Sequence, residues 1–345
     1  MIHPKKIPLT LALSSAFAIY SGTAMADHGS LGFGIGTASP IITQTGVTLP
    51  SGVWAGGLIT QFVSIDNASD ATLLDVKNNA IDDAHGDIHS VKSFFQPSLF
   101  AAYGLTDDLT LGVRLPYVLR FGLSSPGHAH HDGDPVDEVN NQGDSNGIGD
   151  ASFFGQYRFF HSADNLNHAS LVIGLKTPTG ATGIQDNQGT NFETHSQPGS
   201  GSWDPSFGLS FTRAMGQFSF DTSALYTVTT KGTQGTDLGD LFGYNFALSY
   251  AFGAPARNNL FSSSNNAPWT AVLELNGEWQ DRQKTDGQND PNSGTHTVYI
   301  SPGIRYSGGK SWNTALSVGA PIVTDHNGFQ TDPEYRITYR FVAVF

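Results

Sequence analysis

The last eleven residues read Tyr335-Arg-Ile-Thr-Tyr-Arg-Phe-Val-Ala-Val-Phe345, and taken by twos they divide into two faces. Tyr335, Ile337, Tyr339, Phe341, Ala343 and Phe345 make one, and Arg336, Thr338, Arg340, Val342 and Val344 the other. A β-strand sends alternate side chains to opposite sides, so the first face is continuously apolar and aromatic while the second carries two guanidinium groups. In a water-soluble sandwich the apolar face would pack on a second sheet. In an outer-membrane barrel it would touch lipid and the polar face would line the lumen.

The pattern recurs upstream. Leu109, Leu111, Val113, Leu115, Tyr117, Leu119 and Phe121 alternate with a set that includes Arg114 and Arg120. Trp203, Phe207, Leu209 and Phe211 alternate with Asp204, Ser206, Gly208, Ser210 and Thr212, and Phe242 to Phe252 and Trp269 to Trp279 behave alike. The second set is small or charged, which is poor material for a dry core. Strands are expected at 52–65, 91–104, 108–121, 148–160, 168–178, 202–213, 217–230, 240–252, 268–280, 295–306, 311–322 and 335–345. The fold class is therefore all-β, a transmembrane antiparallel up-and-down β-barrel of about twelve strands, an even number as expected. Eleven residues at ~3.3 Å each, tilted ~40°, span ~27 Å, close to the apolar band of such barrels.

Short links at 106–107, 161–167, 214–216 and 308–310 alternate with long polar ones at 66–90, 122–147, 179–201, 231–239, 281–294 and 323–334, the asymmetry of periplasmic turns and outer loops. The long link at 253–267 breaks that rule. Outward aromatics near strand ends (Trp203, Trp269, Trp279, Trp312, Tyr103, Tyr306) suit interfacial girdles.

Composition agrees. The 345 residues include 40 Gly and 23 Phe, no Cys, and only 14% charged residues. The absence of Cys excludes disulfides and thiolate chemistry. A net charge of -13 argues against a nucleic-acid partner. Residues 1–26, with Lys5 and Lys6, an apolar run from Ile7 to Ala18 and the ending Ala24-Met-Ala26, have the form of a cleaved secretory signal peptide. The expected destination is the Gram-negative outer membrane. Residues 27–51 are Gly-rich and polar with a weakly alternating stretch (Ile41, Ile42, Val47, Leu49), and read either as a lumen plug or as a periplasmic tail. The barrel would occupy 52–345.

Three segments carry a family resemblance. Gly147-Ile-Gly-Asp-Ala-Ser-Phe-Phe-Gly-Gln-Tyr-Arg-Phe159, Leu175-Lys-Thr-Pro-Thr-Gly180 and Gly199-Ser-Gly-Ser-Trp-Asp204 resemble the strand openings of the outer-membrane barrels named for the meta-pathway of phenol degradation. The resemblance runs from about 91 to 345 and implies a transporter of small, often hydrophobic or aromatic, compounds.

The side chains expected to line the lumen are Arg114, Arg120, Arg158, Lys176, Asp204, Asp221, Glu274, Glu278, Arg305, Arg336 and Arg340. Basic and acidic walls of this kind would set a transverse field across a narrow channel, or pair and stabilise a filled barrel. His128, His130, His131, Asp132 and Asp134 combine imidazole and carboxylate and are the candidate metal ligands; the competing reading is a solvated acidic loop. No His-Glu-x-x-His motif or phosphate loop is present, and no enzyme and no cofactor is expected. The expected partners are outer-membrane lipid and lipopolysaccharide, the barrel-assembly machinery through the strand ending at Phe345, and a small permeant. The function expected is passive uptake through a charged lumen. Its rivals are a closed structural or adhesive barrel and a metal-binding surface protein.

Overall fold

The computed structural model describes residues 40–79, 88–131, 134–252, 269–309 and 311–345, with 128–131 and 134–136 as backbone only. Twelve strands form the wall: β1 (Trp54–Ile65), β2 (Ser93–Thr106), β3 (Leu109–His131), β4 (Ser152–His161), β5 (Asn167–Lys176), β6 (Asp204–Met215), β7 (Phe218–Thr227), β8 (Leu241–Ala251), β9 (Trp269–Gln280), β10 (Thr295–Gly308), β11 (Trp312–His326) and β12 (Pro333–Val344). Each pairs antiparallel with its sequence neighbours, and β1 pairs with β12 through Thr60↔Tyr339, which closes the ring. Reciprocal bonds between Trp54 and Phe345 (2.9 and 3.0 Å) seal the seam at one end. Closure pairs every strand with two neighbours, as a lipid-embedded sheet requires.

Alternation decides which side chains face where. Leu99, Leu115, Phe153, Ile173, Phe207, Leu209, Phe246, Leu273 and Val318 are exposed on the outer surface. Ser98, Arg114, Gln156, Ser170, Asp204, Thr212, Asp221, Glu274 and Arg340 are buried inside. The outer surface carries far more contiguous apolar area than a water-facing monomer does, while the interior mixes these polar groups with apolar ones such as Phe94, Phe100, Phe154 and Val342. Near the end with short turns, Trp269, Tyr306, Trp312 and Phe341 stand side by side at ring separations of 4.8, 5.6 and 6.1 Å. Trp54 and Tyr103 (4.7 Å) continue that belt, which suits the amphipathic headgroup zone.

The predicted strands lie within a few residues of the observed ones, with one substantial correction. The segment 122–147, read as a loop, is a β-arm: β3 runs on to His131, and Asp134–Ile148 returns beside it. Its Gly-, Asn- and Asp-rich composition is poor for strands, which hid it. Gly122 (φ 66°) and Gly143 (φ 92°) fall where the register slips between Arg120 and Ser124, so left-handed glycines accommodate the bulge at the base of the arm. A helix, α1 (Asp70–Asn79), lies within the 66–90 link and is tied to the arm by Lys77 Nζ, which donates to Gly127 O (2.7 Å) and pairs with Asp137 (2.9 Å). Residues 1–26, most of 27–51 and the anomalous link at 253–267 lie outside the described residues.

Candidate functional site: the barrel lumen

Residues 40–49 run through the interior, every one of them buried. At one end the carboxylate of Glu274 on β9 accepts the backbone N–H groups of Ile41 (3.3 Å), Ile42 (3.1 Å) and Thr43 (2.9 Å). Three successive amides aimed at one anion form a nest, a favourable way to bury a charge. The chain then passes Ser223 on β7, whose hydroxyl accepts Gln44 N–H, and Gln156 on β4, which exchanges bonds with the Gln44 side chain and Thr45 O. Thr212 on β6 donates to Asp221 and accepts from Gly46 N–H (2.8 Å), while Ser170 on β5 donates to Gly46 O (2.7 Å). Finally Leu49 N–H meets Thr110 Oγ1 on β3 (2.8 Å). From β9 to β3 is six steps around a ring of twelve, so the segment crosses from one wall to the opposite one. Gly46 lies so close to the wall that a Cβ there would fall 2.6 Å from His168 O.

The opposite end, where the long links lie, is narrowed by the connection 177–203, whose residues 194–200 are all buried. Its anchor is Asp150. One carboxylate oxygen accepts Gly180 N–H (2.9 Å), and the other accepts the Ser200 N–H and hydroxyl (both 2.8 Å). Gly180 and Gly199 pass each other so tightly that a Cβ on either would lie 2.7 Å from the other's backbone. The three motif segments, far apart in sequence, thus meet at one carboxylate. Asp150 and Ser200 were not among the expected site residues; the Gly-Asp and Gly-Ser openings were the signal that marked them.

Every expected lumen residue sits on an inward register position. Arg114, Ser152, Lys176 and Asp204 form one lateral row across β3 to β6. Lys176 Nζ pairs with Asp204 and lies 3.5 Å from Asp150. Arg336 pairs with Glu278 (2.6 Å) and stacks 4.0 Å above the Tyr299 ring. Arg158 pairs with Asp108 (2.7 Å) in the β2–β3 turn, Arg340 reaches Ile41 O, and Arg305 is buried on β10. Opposite charges are thus mixed locally at Lys176–Asp204, Arg336–Glu278 and Arg158–Asp108. The residues that dock the crossing segment (Thr110, Gln156, Ser170, Thr212, Ser223) were not singled out, because neutral inward side chains carry no signal beyond their parity.

Against the inward link, whose Thr194, His195 and Gln197 border it, lies a chamber of about 200 Å³ lined by Arg114, Arg120, Lys176 and Asp204 together with Phe94, Val118, Leu225 and Leu241. Outside it a vestibule of about 360 Å³ is bounded by α1, the arm and the inward link, including His89 and Lys77. His195, stacked on His89 at 4.5 Å, borders both spaces. Of the proposed metal ligands, Asp132 and the side chains of His128, His130, His131 and Asp134 lie outside the described residues; in backbone register His131 is opposite Asp134. Among the described residues no group of three or more His, Asp or Glu is placed to hold a metal ion.

Comparison with known proteins places this architecture. Residues 64–341 match the family model described as "Putative MetA-pathway of phenol degradation", and the chain belongs to that family. Among solved structures, an outer membrane channel from Pseudomonas putida F1 is similar, with a TM-score of 0.55 and 17% identity over 87% of this chain and 97% of that one. The Ralstonia pickettii toluene transporter TbuX (TM-score 0.42, 11% identity, 93% and 97% covered) and the CymD monoaromatic hydrocarbon channel (0.41, 12%, 94% and 94%) are more distant in shape. No curated protein matches the sequence.

Proposed function

We propose that this family member is a passive outer-membrane channel for small molecules, hydrophobic or aromatic ones among them. The observation that carries the reading is the chamber of about 200 Å³ held inside a barrel whose outer face is apolar. Twelve strands lie between small barrels filled by side chains and sixteen-stranded open porins, so a narrow route is the expected result. The family description names phenol degradation, and the similar Pseudomonas protein is an outer membrane channel, which supports the direction of the proposal. On this reading residues 1–26 are removed on export and the short-turn end faces the periplasm. Lipid and lipopolysaccharide surround the wall, and the assembly machinery recognises the strand ending at Phe345.

A second reading, a closed barrel without transport, is favoured by one observation: residues 40–49 cross the lumen from wall to wall. Liposome swelling with sugars, amino acids and aromatic acids of graded size, together with planar-bilayer recording, separates the two. Faster entry of aromatic solutes than of sugars of equal size supports the channel reading. Permeation limited by size alone removes the hydrophobic preference, and the absence of both swelling and single-channel steps supports the closed barrel.

A further inference from the structure

The inward positions of the wall mix polar and charged side chains with apolar ones such as Phe94, Val118, Phe154 and Val172, and β7 and β8 add two more beside the chamber. Leu225 and Leu241 both point inward, and with Leu238 from the β7–β8 link they make an apolar patch on the chamber wall. Across the ring on β3, Arg114 and Arg120 line the same chamber beside Phe94, Pro116 and Val118, and Lys176 on β5 joins them. Asp150 and Asp204 are the acidic residues of the lining, giving three cationic groups against two anionic ones. Both carboxylates are turned into the protein. Asp150 is taken up by Gly180 and Ser200, while Asp204 accepts from Thr230 N–H, Ser202 and Lys176. Arg114 lies beside Ser98 (3.1 Å), and Arg120 donates to Gln197 O (3.1 Å) with its guanidinium 5.4 Å from the Phe94 ring centre. A dry cavity of ~150 Å³ is enough to hold benzene, so this chamber is sized for one substituted ring.

We propose that the chamber is a binding site for a compact monoanion with an apolar body, a carboxylate on a single ring or a branched chain of that size. The carboxylate lies against Arg114 and Arg120, and the body lies on Leu225, Leu238 and Leu241. Guanidinium groups suit carboxylates because their paired N–H donors match two oxygens. The proposal rests on the channel reading for its biological sense, but the binding itself is measured without transport.

The test uses three probes of one shape and different charge: benzoate, benzamide and benzamidine. Calorimetric titration of the folded barrel in detergent should rank benzoate at least tenfold tighter than benzamide, with benzamidine weakest. Arg114→Gln should weaken benzoate at least tenfold and leave benzamide within about twofold, and Arg114→Lys should recover part of the loss. Equal affinity for the three probes, tighter binding of benzamidine, or no benzoate binding overturns the proposal, since the wild-type ranking needs no variant to fold. Swelling and conductance are recorded on the same preparation. Conduction without a charge-ranked affinity sinks the anion site and leaves the channel standing; charge-ranked binding without conduction does the reverse.

Discussion

The backbone amide of Ile42 lies 3.1 Å from both carboxylate oxygens of Glu274, so one wall residue grips the inner segment with both arms of its side chain. Ile41 and Thr43 donate to the same carboxylate. Hydrogen bonds to a charged partner contribute about 1.5–3 kcal/mol each when buried. Glu274→Ala should therefore weaken docking of residues 40–49 by at least ~2 kcal/mol, or more than tenfold in occupancy. Planar-bilayer recording should show larger or longer-lived openings than the wild type, and identical traces would separate the segment from gating.

Gly46 offers an independent probe from the opposite side of the same segment. Its Cβ position is 2.6 Å from His168 O, and a strand carbonyl in a closed barrel has little room to move. Gly46→Ala should displace the segment without altering a charge. A cysteine placed at Thr45 should then react with a water-soluble thiol reagent at least several-fold faster than in the parent. Unchanged labelling would mean that the seat tolerates a methyl group.

Asp150 holds three donors from the inward link. Asp150→Asn removes the charge and turns an amide N–H₂ toward at least one N–H donor. The expected cost is about 2–4 kcal/mol, because a buried donor left unpaired adds its desolvation penalty. The midpoint of urea unfolding in detergent should fall accordingly, and the 177–203 link should become the first site of proteolytic cleavage. A cleavage pattern like that of the wild type would show that the link is held by other contacts.

The outer face can be tested for contact with acyl chains. Leu275 is exposed midway along β9, with Glu274 beside it pointing inward. Leu275→Arg should cost about 2–4 kcal/mol when folding is measured in bilayers, as a cation at the membrane midplane does. If the outer face met water instead, the exposed substitution would change stability by less than ~0.5 kcal/mol.

In the β4–β5 turn, Asp164 accepts bonds from the Ser162 hydroxyl and from Leu166 N–H. These bonds, that from Ser162 foremost, hold its carboxyl below the usual aspartate pKa. The turn's stabilisation is then complete above the unfolded carboxyl's pKa, and it is lost as the pH falls through the lower folded value. Ser162→Ala should raise the Asp164 pKa toward the ordinary range in a carbon-detected NMR titration, moving the loss of stabilisation to higher pH. A titration curve unmoved by the substitution would assign the shift to the backbone instead.

Much of this architecture was legible in the linear chain because a membrane barrel obeys a strict period of two. Tyr339 outward and Arg340 inward follow from parity alone, and so do Leu275 and Glu274, because lipid and lumen impose opposite chemistries on neighbouring residues. Strand number, strand span and the inward charges all come from that local rule. The arm at 122–147 escaped because backbone pairing stabilises it with little apolar side-chain signal. What only the folded molecule decided is which residues meet inside: that Glu274 and Thr110, on opposite walls, grip one strap, and that Gly180 and Ser200 close on the carboxylate of Asp150. Parity assigns a side chain to a face, whereas its partner across the lumen is set by closure of the ring and by which unpaired amides must be satisfied inside it.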